Sequence, residues 1–128
     1  MEHGTRNMEQ KKDTKKTYHE ILQEKIDKYV HEVYRLTKSF PKEELYGVTS
    51  QLRRSSLSVP LNYIEGYARQ RDKVYKNFLE ISYGSLKESL YLIKFSYNEG
   101  YISENEYVVT LKLGDEICAM LWSVLRKM

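Results

Sequence analysis

The stretch YHEILQEKIDKYVHEVYRLTKSFP, residues 18–41, decides the fold. Its apolar side chains Tyr18, Leu22, Ile26, Tyr29, Val33, Leu36 and Phe40 are spaced 4, 4, 3, 4, 3 and 4 residues apart. That is one stripe of a 3.6-residue period, so the spacing predicts an amphipathic helix with one buried face. Phe40-Pro41 ends it, because the residue before a proline is pushed out of helical geometry. Upstream, residues 1–16 hold Lys11, Lys12, Lys15 and Lys16 with no apolar period and read as a flexible polar tail. Residues 17–128 are left as one domain.

Three more helices follow. Ser39 is placed to cap the second, with Pro41 in its first turn and Glu43 and Glu44 beside its positive end. This helix is expected to run to about Gln70, with Leu45, Val48, Leu52, Val59 and Tyr63 inward, and to kink or break near Pro60. Proline lacks an N–H and its ring clashes with the carbonyl of Ser56. The third helix is predicted from about Asp72 to Asn98, with Gly100 as its stop. Val74, Tyr75, Phe78, Ile81, Leu86, Leu90, Ile93 and Tyr97 form its apolar arc, among small serines that would permit close helix approach. Ser103-x-x-Glu106 has the form of a capping box opening the fourth helix, whose expected core stripe is Tyr107, Leu111, Cys118, Leu121 and Leu125. Short connections make neighbours antiparallel, and the pattern predicts an all-α, up-down-up-down four-helix bundle of long helices.

Composition agrees and excludes alternatives. The chain has 128 residues, 41% hydrophobic, with 6 Gly, 2 Pro and 1 Cys. That length supports a core without staples, and one cysteine excludes a disulfide framework or a multi-cysteine metal site. No apolar run is long enough for a membrane span, and the polar start lacks the apolar core of a signal peptide. A cytoplasmic protein without membrane contact is the expectation.

The formal charge of +3 hides a partition: +5 over residues 35–76 against −4 over residues 77–125. Such asymmetry suits an anionic partner or complementary packing between subunits. Two helices also carry more apolar surface than one bundle needs. On the fourth, Val109, Leu113, Ile117, Met120 and Val124 form another stripe; on the second, Tyr46, Leu57, Leu61 and Ile64 leave the core side. These nine residues are the expected homo-oligomer interface. Tyr91 and Phe95 are expected exposed on the third helix. Finally, Gly47, Gln51, Arg54, Ser58, Asn62, Glu65 and Arg69 make a polar stripe on the second helix. It is either an internal hydrogen-bond network, in which Asn62 and Ser58 satisfy the carbonyl of Ser56, or a recognition surface. In the second case Arg53, Arg54, Asn62, Glu65, Arg69 and Arg71 would contact nucleic acid or another polar partner.

The run Phe40-Pro41-Lys42-Glu43-Glu44-Leu45-Tyr46-Gly47-Val48-Thr49-Ser50-Gln51-Leu52-Arg53-Arg54, then Ser58-Val59-Pro60-x-Asn62-x-x-Glu65-Gly66, closely resembles the four-helix bundle proteins encoded in 23S rRNA intervening sequences. Tyr75-x-x-Phe78-Leu79 and Gly84-Ser85-x-x-Glu88 extend the resemblance over roughly residues 20–125. It implies a small bundle assembling as a homopentameric ring. It also implies distant kinship with the accessory variability protein of diversity-generating retroelements, which binds its reverse transcriptase and nucleic acid.

Enzyme signatures are weak. His3, His19 and His31 are the only histidines, and Lys16 and Lys28 stand where a di-iron Glu-x-x-His pair would need glutamates. There is no HExxH, P-loop or GxGxxG motif, and Cys118 reads as a core thiol rather than a nucleophile. No catalysis, metal or cofactor is expected. Two functions remain: an oligomer that binds RNA or DNA as an RNA-associated accessory factor, or an assembly scaffold that recruits another protein.

Overall fold

The computed structural model describes residues 15–128 and builds them from four helices. These are α1 (Tyr18–Thr37), α2 (Val48–Ala68), α3 (Tyr75–Asn98) and α4 (Glu104–Leu125), with a 3-10 turn at Lys42–Glu44 between the first two. No strand occurs among the described residues. Most of the expected tail lies outside them; of its last two residues, Lys16 pairs with Glu24 at 2.8 Å.

Helix α1 starts on a capping box the sequence reading overlooked. Thr17 Oγ1 accepts the Glu20 N–H at 3.1 Å, and the Glu20 carboxylate accepts the Thr17 N–H at 2.8 Å. The stripe from Leu22 to Leu36 is buried as expected, while Tyr18, its first member, is half exposed. Helix α4 opens on the capping box expected at Ser103 and Glu106. The entry to α2 differs from expectation. Ser39 does not cap it; its hydroxyl donates back to the Leu36 carbonyl at 3.2 Å. Phe40 is buried, its ring centre 5.4 Å from that of Tyr101 in the connection between α3 and α4, and the chain makes its 3-10 turn before the helix begins. Glu44 then supplies the cap, its carboxylate accepting the Val48 N–H at 3.2 Å. Helix α2 continues unbroken across Pro60.

The helices form a ring, α1 against α2, α2 against α3, α3 against α4 and α4 against α1. Along α1 and α4, Tyr18 reaches Met120, Lys25 pairs with Glu116 and Arg35 with Glu106, so numbers rise on one helix as they fall on the other. Contacts of α1 with α2 run the same way, His19 meeting Tyr63 and Thr37 meeting Arg53.

On α3 the core repeats every seven residues. Leu79, Leu86 and Ile93 alternate with Ser82, Ser89 and Ser96, all fully buried. A seven-residue repeat keeps one seam facing its neighbours, and its small serines let α2 come close. Ser82 Oγ donates across to the Val59 carbonyl at 2.8 Å. A Cβ at Gly66 would stand 3.0 Å from that of Phe78. Ile81, expected in this arc, is exposed, and Leu79 takes its place.

Helix α4 corrects the expected second face. Its buried line is Thr110, Gly114, Ile117, Leu121 and Leu125. Ile117 is completely buried in the core and is unavailable to a partner. Leu113, Met120 and Val124 on one flank, and Tyr107, Leu111 and Cys118 on the other, are partly buried and pack against the core. The two apolar stripes are therefore flanks of one wide arc, because a bundle helix touches two neighbours. Its centre includes Thr110 and Gly114, which an apolar count passes over. A Cβ at Gly114 would overlap the Leu90 side chain. Phe95 of α3 is likewise half-buried, while Tyr91 is exposed.

Candidate functional site

The outward face of α2 carries the residues of interest, and the structure divides them into separate groups. Arg53 and Arg69 lie about 24 Å apart along the axis at 1.5 Å per residue, so one contact with a small ligand cannot involve both.

In the middle is a polar network. Asn62 Nδ2 donates to the carbonyl and the hydroxyl of Ser58, both at 2.9 Å, and that hydroxyl meets Ser85 Oγ of α3 at 2.8 Å. Neither Asn62 nor Ser58 reaches the Ser56 carbonyl, contrary to expectation. The reason is phase: the Asn62 amide falls one turn above Ser58, its i−4 neighbour. This part of the polar stripe joins helices.

At the far end, Arg69 Nε pairs with Glu65 at 2.7 Å and its guanidinium lies 5.7 Å from the Phe78 ring centre. Arg71 is exposed in the turn after α2. Nearby, His19 stacks on Tyr67 with ring centres 3.5 Å apart, and its Nδ1 meets the Tyr63 hydroxyl at 2.8 Å. Burial, with the neighbouring Tyr75, Tyr67 and Tyr18 adding to it, pushes the Tyr63 phenol well up.

At the near end, Arg53 Nε donates to Thr37 Oγ1 at 2.8 Å, and its guanidinium lies 4.8 Å from the centre of the Tyr34 ring. Arg54 is exposed one residue on. Lys38 and Lys42, from the end of α1 and the 3-10 turn, face the same region, where they border a cleft with Phe40, Leu45 and Arg53. Sequence reading missed these two lysines as members of the site, although Lys38 stands one helical turn after Tyr34.

Along the same face, Leu57, Leu61 and Ile64 are 38%, 62% and 50% exposed, and Tyr46, in the turn before α2, is 93% exposed. On α4, Val109 is the member of the expected interface that is exposed, beside Val108 and Trp122. Cys118 is half-buried, and burial raises its thiol above the ordinary value, the opposite of activation for nucleophilic attack. Among the described residues no group of three His, Cys, Asp or Glu side chains could hold a metal ion, and no helix is long and apolar enough to cross a membrane.

These features define a class: a four-helix bundle whose second helix presents an uncovered apolar stripe between basic side chains. The pattern of the 23S rRNA-intervening sequence proteins matches residues 11–123, and the chain belongs to that family. The fold is similar to the crystal structure of a protein of unknown function from the S23 ribosomal protein family of Bacteroides thetaiotaomicron. The TM-score is 0.74 at 21% identity, covering 81% of this chain and 97% of that one. No curated protein matches the chain.

Proposed function

We propose that this protein is a non-enzymatic, cytoplasmic homo-oligomer that binds nucleic acid as an RNA-associated accessory factor. Five copies are expected from the family resemblance. The observation that carries the proposal is the outward face of α2, where exposed Leu57, Leu61 and Ile64 lie beside exposed Arg54. Exposed apolar area gains about 25 cal/mol per Å² when a second surface covers it, and a contiguous stripe of this kind marks an interaction surface. The α4 surface around Val109 is the second candidate contact. Tyr46 lies before α2, bordering one cleft with Arg53 and Arg54, and we place it with the basic end of the site rather than with the copy interface. Repeating a basic segment around an assembly multiplies its local field, and phosphate contacts by Arg and Lys make affinity salt-dependent.

A protein-recruiting scaffold is the second reading, and an ion pair favours it. Arg35, at the start of the basic segment, is engaged by Glu106 of the acidic late segment at 3.6 Å. Electrophoretic titration with structured RNA and duplex DNA at several salt concentrations separates the two. Micromolar or tighter binding that weakens steeply with salt supports the accessory factor. No binding by the assembled protein at low salt overturns it in favour of the scaffold.

A further inference from the structure

Two clefts adjoin where α1 turns into α2, of about 470 and 480 Å³. Lys38 and Lys42 border the first, Tyr34, Tyr46 and Arg54 border the second, and Leu45, Thr49 and Arg53 line both. We propose that this double cleft binds one nucleoside phosphate unit, with the phosphate among Lys38, Lys42 and Arg54 and the base on the Tyr46 ring. This deepens the nucleic-acid reading and rests on it for the source of the ligand, an unpaired nucleotide of a strand.

Size is the first support. Each cleft falls within the range of about 300–1,000 Å³ that suits small organic ligands rather than a bare ion. Charge is the second. Lys38, Lys42, Arg53 and Arg54 make no ion pair among the described residues. Of the two acids in the 3-10 turn, Glu44 is engaged by the Tyr101 hydroxyl at 2.8 Å and the Val48 N–H at 3.2 Å, and Glu43 is exposed and lines neither cleft. Four cations thus border the two clefts, and no carboxylate lines either, which suits an anionic guest.

The third support is aromatic. Tyr46 is 93% exposed, on the turn before α2, and has no ring partner among the described residues. A bare ring beside cations is the combination on which single-stranded nucleic acids bind, bases stacking while phosphates follow the charge. Paired bases are stacked on their own neighbours and do not offer a face to such a ring, so the cleft selects single strands. The fourth is an orphan. Thr49 is 4% exposed, its hydroxyl has no hydrogen-bond partner in the described structure, and it sits where the two clefts meet. Buried hydroxyls are rarely left so, and since Thr49 Oγ1 has almost no accessible surface, a ligand oxygen or water would complete it only as the cleft opens.

The test is fluorescence anisotropy of the full chain with a short labelled oligouridylate, against free adenosine monophosphate and inorganic phosphate as competitors. Tyr46→Leu is expected to weaken oligouridylate binding about ten-fold, Tyr46→Phe to retain it, and Lys42→Gln or Arg54→Gln to lower the salt slope by about one each. Tyr46 is exposed, so circular dichroism should show all four variants folded. Adenosine monophosphate competing as well as the oligomer assigns the cleft to free nucleotides, whereas competition by the oligomer alone assigns it to strands; either supports the cleft. Inorganic phosphate competing as well as the nucleotide overturns the assignment of the base to Tyr46. If Arg71→Gln weakens binding while Tyr46→Leu and Lys42→Gln leave it unchanged, the cleft is overturned and nucleic-acid binding stands. No binding by the unaltered chain at low salt overturns both.

Discussion

At the centre of the bundle Tyr29, with no exposed surface, meets Ser89 Oγ at 2.7 Å, and Ser89 Oγ lies 2.8 Å from the Leu86 carbonyl. A carbonyl only accepts, so the serine proton is directed to Leu86 and the Tyr29 hydroxyl donates to Ser89. The two halves of this pair should then respond unequally. Tyr29→Phe removes the donor but leaves Ser89 bonded to Leu86, and should cost about 0.5–1.5 kcal/mol, the net worth of one hydrogen bond. Ser89→Ala strands a phenol hydroxyl where water cannot reach it, and should cost about 1–3 kcal/mol. Combining the two replaces both partners by apolar groups, so adding Tyr29→Phe to Ser89→Ala should restore stability rather than lower it further. The expected coupling therefore exceeds the cost of Tyr29→Phe alone, at about 1–2 kcal/mol. Urea unfolding followed by circular dichroism, at one fixed protein concentration, measures all four corners. Costs that simply add, or a Ser89→Ala variant no less stable than Tyr29→Phe, would refute the donor assignment and the dry centre on which it rests.

Ser103→Ala should lose about 1 kcal/mol by removing the capping box of α4, whereas Ser39→Ala should lose less, because Ser39 caps no helix start and the Leu36 carbonyl it meets keeps the Ser39 N–H; thermal melts compare them. Gly66→Leu should cost about 1–3 kcal/mol by overpacking the α2–α3 contact against Phe78, read by urea unfolding. Burial holds the phenols of Tyr29 and Tyr63 above their ordinary value of 10.0. The folded state keeps protons that the unfolded chain releases, so stability should be complete below about pH 10 and fall as pH rises beyond it. Tyr29→Phe should flatten that fall.

Much of this architecture is written in periodicity. The α1 stripe predicted its own burial because every inward residue but one is large and apolar. Helix α4 was misread for the opposite reason. Thr110 and Gly114 mark the centre of its buried line yet count as gaps in an apolar pattern, and Ile117 was assigned to the wrong face. The start of α2 was misplaced because Ser39 has the chemistry of a cap but lies beside Phe40, whose burial decides where that segment goes. At the site, adjacent Arg53 and Arg54 were legible. Lys38 and Lys42 were not, since they belong to other elements and only the turn between α1 and α2 brings them near. The polar stripe was legible as a line but not as several jobs: Ser58, bonded by Asn62 of its own helix, joins α2 to α3, Glu65 and Arg69 pair with each other, and Arg54 faces solvent.

The claim that the α2 face assembles copies of the chain is tested most directly by light scattering at high micromolar concentration. The account predicts a mass several times 15.3 kDa for the unaltered chain and a smaller species when Leu61→Glu places charge in the stripe. A mass of 15.3 kDa for the unaltered, folded chain would contradict it.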